Sequence, residues 1–177
     1  MSRLRLLLSF ATLLCAVLIV PAHAQREKFT PEELAIIKQK YPEAKKTITG
    51  IRYVIHKEGE GEPAAAGDVV SVLYRGMLMD GRVFNECLDT AHPFTFRLGR
   101  GNVVEGWDQG LKLMKEGGKI TLIIPFELAY GTKGNPPAVP REASLIFEVE
   151  MLKIEHAPKP PAPPPEPPKR KKVLGVF

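Results

Sequence analysis

The chain of 177 residues is poor in cysteine: it holds two, and Cys15 lies in an apolar N-terminal run. If that run is removed, Cys87 is left alone. No disulfide can then form within the chain, and the body must fold on its apolar core. The apolar run itself, Leu6 to Val20, is short of the ~20 residues that span a bilayer. Histidine is sparse, and His23, His56, His92 and His156 show no ligand spacing. Cys87 with His92 offers too few donors for zinc, so no metal is expected. No Ser/His/Asp arrangement is visible, and Cys87 has no evident base. It reads as an ordinary small residue in a loop, which leaves nucleophilic catalysis without a candidate. Only 7% of residues are aromatic and Trp107 is the sole tryptophan, so any place where rings gather is informative.

What is present at the N-terminus follows a recognisable order. Arg3 and Arg5 precede the apolar run, which ends in Ala22-His23-Ala24. Basic, apolar and small-x-small segments in that order predict a signal peptide over residues 1–24, cleaved before Gln25, with an uncleaved anchor as the alternative. Leu13 and Leu14 stand where small residues would be wanted, so Cys15 is a poor lipid-attachment site. At the other end, APKPPAPPPEPPKRKKVLGVF, residues 157–177, is dense in proline. It predicts an extended polyproline II spacer, about 37 Å from Ala157 to Pro168 at about 3.1 Å per residue. Lys169, Arg170, Lys171 and Lys172 follow it. The tail reads as solvated, as a tether to an anionic surface, or as a ligand for a proline-binding domain. Tail and leader account for the excess positive charge, so the body is close to neutral and no nucleic-acid partner is expected.

Between these ends, residues 25–47 form an extension with one short helix. Thr30 caps, Pro31 takes the first helical position and Glu33 completes a capping box. Leu34, Ile37 and Tyr41 recur at helical spacing up to Pro42, which predicts a helix over about 31–40. It reads as a stub packed on the body or as a dimer contact. From Ile48 the pattern turns to strands: ITGIRYVIHK, then Val69 to Met79 with Val70, Val72 and Tyr74 on one face. Asp80-Gly81 is a hairpin turn leading to Arg82-Val83-Phe84. Pro93 to Leu98, Lys119 to Phe126 and Ser144 to Glu155 are further strands. In the last, Leu145, Phe147, Val149 and Met151 form an apolar face opposite Ile146, Glu148 and Glu150. Glu105 to Met114 reads as the one helix of the body. Several strands around a single helix, without a βαβ rhythm, predict an α+β fold with a mostly antiparallel sheet.

The stretch LGRGNVVEGWDQGLKLM, Leu98 to Met114, is rich in glycine but is no nucleotide loop. Gly99 and Gly101 are followed by Gly106, five residues on rather than three, and no Walker lysine-serine follows. Glu105 and Asp108 sit where carboxylates favour a helix start. What remains is a set of rings near loops and turns: Phe84 after the hairpin turn, Trp107 at a helix start, Tyr130 before Gly131. Pocket residues gather at element ends in this way.

LYRGMLMDGRVFN, PFTFRLGRGNVVEGWDQGLKLMKEGGK, IPFELAYGTKG and PAVPREASLIFEVEMLKIE follow one another in the order and spacing of FKBP-type peptidyl-prolyl cis-trans isomerases. The chain resembles a bacterial secreted member of that family over Ile48 to Glu155, which assigns residues 48–156 to an isomerase domain. The resemblance implies a twisted antiparallel β-sheet wrapped around one short α-helix, with the site between them. Residue by residue it implies Tyr74, Phe84, Asn85, Trp107, Tyr130 and Phe147 as catalytic, and Phe94, Val103, Val104 and Val139 as substrate-binding. Trp107 would form the floor. The Tyr130 hydroxyl and Val104 N–H would hold peptide carbonyls, and the Gly131–Pro140 loop would carry Val139. The expected partners are proline-containing polypeptides of exported proteins, with macrolides such as rapamycin or tacrolimus as ligands. No cofactor is expected, because rotation about an amide breaks no covalent bond.

One position departs from the pattern. The family usually has aspartate after the pocket phenylalanine, and this chain has Asn85, which keeps a carbonyl acceptor and loses the charge. Binding is therefore expected to survive better than turnover. Two readings stay open: an isomerase that assists folding, and a binding or chaperone module of the same fold. In a third, the tail feeds its own prolines to the pocket. The leader reading has a direct check: the intact mass of the exported protein should correspond to a chain that begins at Gln25.

Overall fold

The computed structural model describes residues 27–158; the signal-peptide assignment and the lysine-rich end of the tail lie outside them. Seven strands form one antiparallel sheet: β1 (Lys45–Lys46), β2 (Arg52–Lys57), β3 (Val69–Leu78), β4 (Val83–Cys87), β5 (Phe94–Arg97), β6 (Lys119–Ile124) and β7 (Leu145–Glu155). The order is β1-β2-β6-β7-β3-β4, and β5 shares the outer edge of β3 with β4. β5 takes Val69 to Val72 and β4 takes Tyr74 to Met77. The long β3–β7 ladder runs from Val69↔Glu155 to Leu78↔Leu145 and is the spine of the sheet.

One face of this sheet carries helix α2 (Glu105–Gly110), continued by a 3₁₀ turn over Leu111–Leu113. The single helix expected through Met114 is thus shorter. At its end Met114 N–H bonds Leu111 O, so the last turn tightens from α to 3₁₀ as helix ends commonly do. Gly106 and Gly110, four residues apart, share one side of the helix. A Cβ on Gly106 would collide with the Ile124 side chain, and one on Gly110 would lie 2.7 Å from a Leu122 methyl. Hydrogen at both positions lets helix backbone rest on β6 side chains. Around this contact Val70, Val72, Leu98, Leu111, Leu122, Leu145 and Met151 make a fully buried core. The β7 alternation read from sequence is what places Leu145, Phe147, Val149 and Met151 in it.

The opposite face holds a second, smaller core. Helix α1 (Pro31–Lys40) starts at the capping box read from sequence: Glu33 N–H bonds Thr30 Oγ1 at 3.2 Å, and Thr30 N–H bonds Glu33 Oε2 at 2.9 Å. Its Ile37, with Phe29, packs on Ile123 and Ile146 of the sheet. Ile146 therefore interrupts the polar face of β7 because α1 covers it. Glu27 binds Lys46 Nζ and Arg52 Nη2, each at 3.0 Å, and fastens the chain that leads into α1.

Two further expectations are corrected. The strand read from Ile48 begins at Arg52, because Thr47 to Gly50 turn back: Gly50 has φ +96°, and Thr47 N–H bonds Ile51 O. Ile48 is left 83% exposed. Cys87 lies at the end of strand β4 rather than in a loop, paired with Tyr74. The hairpin at Asp80-Gly81 forms as read, with Gly81 N–H on Leu78 O and Leu78 N–H on Arg82 O.

Asp68 fixes the point where the body gives way to the tail. It is buried, and its carboxylate accepts Ala65 N–H at 2.8 Å and Ala157 N–H at 2.9 Å, with His156 Nδ1 2.8 Å away. Burial pushes the Asp68 carboxyl up. The two N–H bonds and the neighbouring His156 outweigh it and hold the pKa below the ordinary carboxylate value. A depressed carboxylate contributes stability above its unfolded pKa of about 3.9, and the contribution disappears as pH falls through the folded value. Asp68→Asn should accordingly cost about 1–3 kcal/mol at pH 7. The gap in unfolding free energy between variant and wild type should narrow below about pH 4, read by thermal melts across pH.

Candidate functional site

The rings gather in one place, between α2 and the sheet. Trp107 projects from α2 and is 3% exposed. Around it stand Tyr74 of β3, Phe147 of β7, and Phe94 and Phe96 of β5. Their centroids lie 5.0, 5.1, 6.2 and 5.8 Å from the indole. The Tyr74 and Phe147 contacts are edge-on, at 87° and 80°, the arrangement that ring quadrupoles favour. Phe84 of β4 packs edge-on against Phe147 at 5.7 Å. Both rings lean over β3 at Gly76, where an added Cβ would be 2.8 Å from each. Glycine at this point lets the rings close down on the strand.

Above the indole lies a cavity of about 270 Å³, lined by Tyr74, Phe84, Asn85, Phe94, Val103, Val104, Trp107, Tyr130 and Phe147. These are nine of the ten residues assigned from sequence, brought together from four strands, α2 and two loops. Asn102 joins them on the wall. Sequence reasoning passed over it, although its place directly before Val103 was a signal. Val139 is not on the wall: it is fully buried in the core. Reciprocal backbone bonds between Asn135 and Val139, 2.9 Å each, tie down its loop, and Arg141 Nε bonds Thr132 O at 3.1 Å. A larger cleft of about 590 Å³, lined by Lys57, Glu60, Glu62, Glu116 and His156 among others, has no Phe, Tyr or Trp on its wall. Size alone does not mark a site; an apolar lining with a few placed polar groups does.

Polar groups on the wall are few. Tyr74 Oη donates to Asn85 Oδ1 at 3.0 Å. Burial, then the nearby Cys87 and Tyr130, raise the Tyr74 pKa, so the hydroxyl stays protonated and remains a donor. The Tyr130 hydroxyl and the Val104 N–H make no hydrogen bond among the described residues. The Trp107 Nε1–H is likewise buried without a partner. No Asp, Glu, His, Lys or Arg lines the cavity. No cluster of three or more His, Cys, Asp or Glu side chains that could hold a metal occurs among the described residues.

The loop that carries Asn102, Val103 and Val104 is held from below. Both carboxylate oxygens of Asp108 are used, on Gly99 N–H at 2.7 Å and on Gly101 N–H at 3.0 Å. Asp108 therefore does more than favour a helix start: it clamps the loop that leads into the helix. Glu105, by contrast, only accepts Gln109 Nε2, at 2.8 Å.

A mostly antiparallel sheet wrapped on one short helix, with an aromatic cavity between them, defines the FKBP-like class of fold. Residues 60–152 match the family model described as FKBP-type peptidyl-prolyl cis-trans isomerase, and the chain belongs to that family. Among curated relatives, Escherichia coli (strain K12) FkpA, an FKBP-type peptidyl-prolyl cis-trans isomerase, is 41% identical over 137 residues. That alignment covers 77% of this chain and 46% of FkpA. Human peptidyl-prolyl cis-trans isomerase FKBP2 is 54% identical over 89 residues, 50% of this chain and 63% of that protein. The chain thus spans about half to two-thirds of the length of these relatives. The crystal structure of E. coli FkpA superposes with a TM-score of 0.63 at 40% identity, covering 72% of this chain and 57% of FkpA. A peptidyl-prolyl cis-trans isomerase from Pseudomonas syringae gives 0.62 at 30% identity, covering 71% of this chain and 92% of its own.

The Asp108 clamp predicts that Asp108→Ala, which frees both glycine N–H groups, weakens binding of a prolyl tetrapeptide about three- to tenfold, the worth of roughly one hydrogen bond. Glu105→Ala should leave it within about twofold, because it touches no part of the loop. Titrating the fluorescence of the sole tryptophan reads both.

Proposed function

We propose that the protein is a peptidyl-prolyl cis-trans isomerase acting on Xaa–Pro bonds of exported polypeptides, with the aromatic cavity as its active site. The observation that carries the proposal is the cage of rings above Trp107, in a chain of this family. An Xaa–Pro bond isomerises over tens to hundreds of seconds because amide resonance sets a barrier of about 18–20 kcal/mol. Rotation removes that resonance, and the twisted amide is less polar than the planar one. An apolar cavity therefore stabilises the twisted form relative to the ground state, and stronger binding of the transition state is catalysis. Trp107 serves as the floor beneath the pyrrolidine ring, and Tyr74, Phe84, Phe94 and Phe147 serve as walls. The Val104 N–H and Tyr130 hydroxyl, free of internal partners, are available to peptide carbonyls. The buried Val139 supports the wall from behind.

Export rests on the leader pattern over residues 1–24. Among the described residues no helix is long and apolar enough to cross a membrane. In this reading residues 25–47 brace the outer face of the isomerase domain over 48–156. Under the same proposal the basic tail from 157 serves as a tether to an anionic surface. Macrolides of the rapamycin and tacrolimus type are expected to compete for the cavity. Asn85 favours a second reading, a chaperone-like binding module with weak turnover, because the carboxylate usual in the family is absent there.

A protease-coupled assay on a Leu-Pro tetrapeptide tests the proposal. Phe84→Ala should lower kcat/KM by on the order of tenfold or more, through loss of ring contact. Tyr130→Phe should lower it about three- to tenfold, and rapamycin should abolish it. Macrolide binding without measurable turnover by the wild type would select the module instead.

A further inference from the structure

Asn85 is more than an aspartate without its charge, because its two polar atoms are not in equivalent positions. The Tyr74 hydroxyl, kept protonated by burial, takes the carbonyl oxygen Oδ1 at 3.0 Å. The acceptor that asparagine shares with aspartate is thus engaged inside the protein. Asn85 lines the cavity, and its Nδ2 group keeps two N–H donors with no internal acceptor among the described residues. A carboxylate at this point would present a second acceptor instead.

From this geometry we infer that Asn85 is a specificity-determining residue: its Nδ2 donates a hydrogen bond to a backbone carbonyl of the bound Xaa–Pro segment. It would act beside the Val104 N–H and the Tyr130 hydroxyl, whose residues line the same cavity. The match is to the chemistry of proline. An Xaa–Pro segment offers the carbonyls of Xaa and Pro but lacks the prolyl N–H, so it is rich in acceptors and short of a donor. An amide N–H finds a partner on such a segment, whereas a carboxylate oxygen would face carbonyl oxygens. The amide also keeps its donors at any pH. The ionisable groups nearby are engaged or uncharged. Glu86 pairs with Arg75 at 2.9 Å, the Asp108 carboxylate is taken up by Gly99 and Gly101, and Tyr74 stays protonated. Cys87, paired with Tyr74 across the β3–β4 ladder, and Tyr130 are the other ionisable side chains close by.

This inference rests on the reading of the cavity as the Xaa–Pro site, and one experiment separates the two. The peptide Ala-Leu-Pro-Phe is titrated into full-length wild type, Asn85→Asp and Asn85→Ala from pH 3.5 to 7.5, reading Trp107 fluorescence, with circular dichroism confirming the fold at each pH. Asn85 is exposed, so both variants should retain the structure. At pH 7 each variant should bind about five- to tenfold more weakly than wild type, the worth of one hydrogen bond. The Kd of wild type and the weaker Kd of Asn85→Ala should each stay constant across the pH range. Asn85→Asp alone should recover affinity as pH falls toward and below about 4, where the introduced carboxyl is protonated and can donate. Equal or tighter binding by Asn85→Asp at pH 7, or a Kd for it that does not move with pH, would overturn the inference and leave the site reading intact. A wild type that neither binds nor turns over the peptide would overturn the site reading, and this inference with it.

Discussion

The contact on which the rest of the structure depends is the seating of α2 on β6. Gly106 and Gly110 leave no side chain between helix backbone and the Ile124 and Leu122 side chains. That closeness sets the height of Trp107 above the sheet, and Trp107 sets the floor of the cavity. Were the helix held further off by even one methyl group, the rings of Tyr74 and Phe147 would no longer close edge-on around the indole. Interiors are packed as densely as organic crystals, so such a shift would propagate rather than be absorbed. The cavity is in this sense a product of the two glycines as much as of the aromatic residues that line it.

A similar economy governs the polar groups. Asp108 spends both oxygens on the loop that brings Val103 and Val104 to the rim, and Tyr74 spends its proton on Asn85. The groups left over on the wall include the Val104 N–H and the Tyr130 hydroxyl, both able to donate. The wall is thus apolar where the pyrrolidine ring would sit and donor-rich where carbonyls would lie. The β3–β7 ladder supplies the rigidity beneath, since it runs unbroken except for one bulge between Ser71 and Val72.

Much of this was legible in the residues. The alternation of Leu145, Phe147, Val149 and Met151 and the Asp80-Gly81 turn reported local periods and turn chemistry, which act over a few residues. The Thr30–Glu33 capping box did the same. Nine wall residues could be assigned because the motif blocks keep their spacing. What was not legible depended on long-range packing. Val139 and the wall residues look alike in sequence, and only the hydrogen-bonded turn at Asn135 decides that its side chain points into the core. Ile146 shares the face of Glu148 and Glu150, and its burial depended on α1 covering it. The length of α2 depended on how its last turn tightened, and Ile48, though β-branched, was turned out by Gly50. The direction of the Tyr74–Asn85 bond lay beyond any reading of composition.

The sheet also has two open sides. On one, β1 is only two residues long, and both are lysines; its neighbour β2 ends in His56 and Lys57 with a register shift after Ile55. On the other, β4 pairs across a bulge between Gly76 and Met77. A sheet border with unpaired backbone is a template on which extended segments of other chains can add as a further strand. Short, charged and irregular borders give those segments nothing to zip onto. Strand addition at the margins is thereby disfavoured, and the borders of the sheet are kept from seeding aggregation.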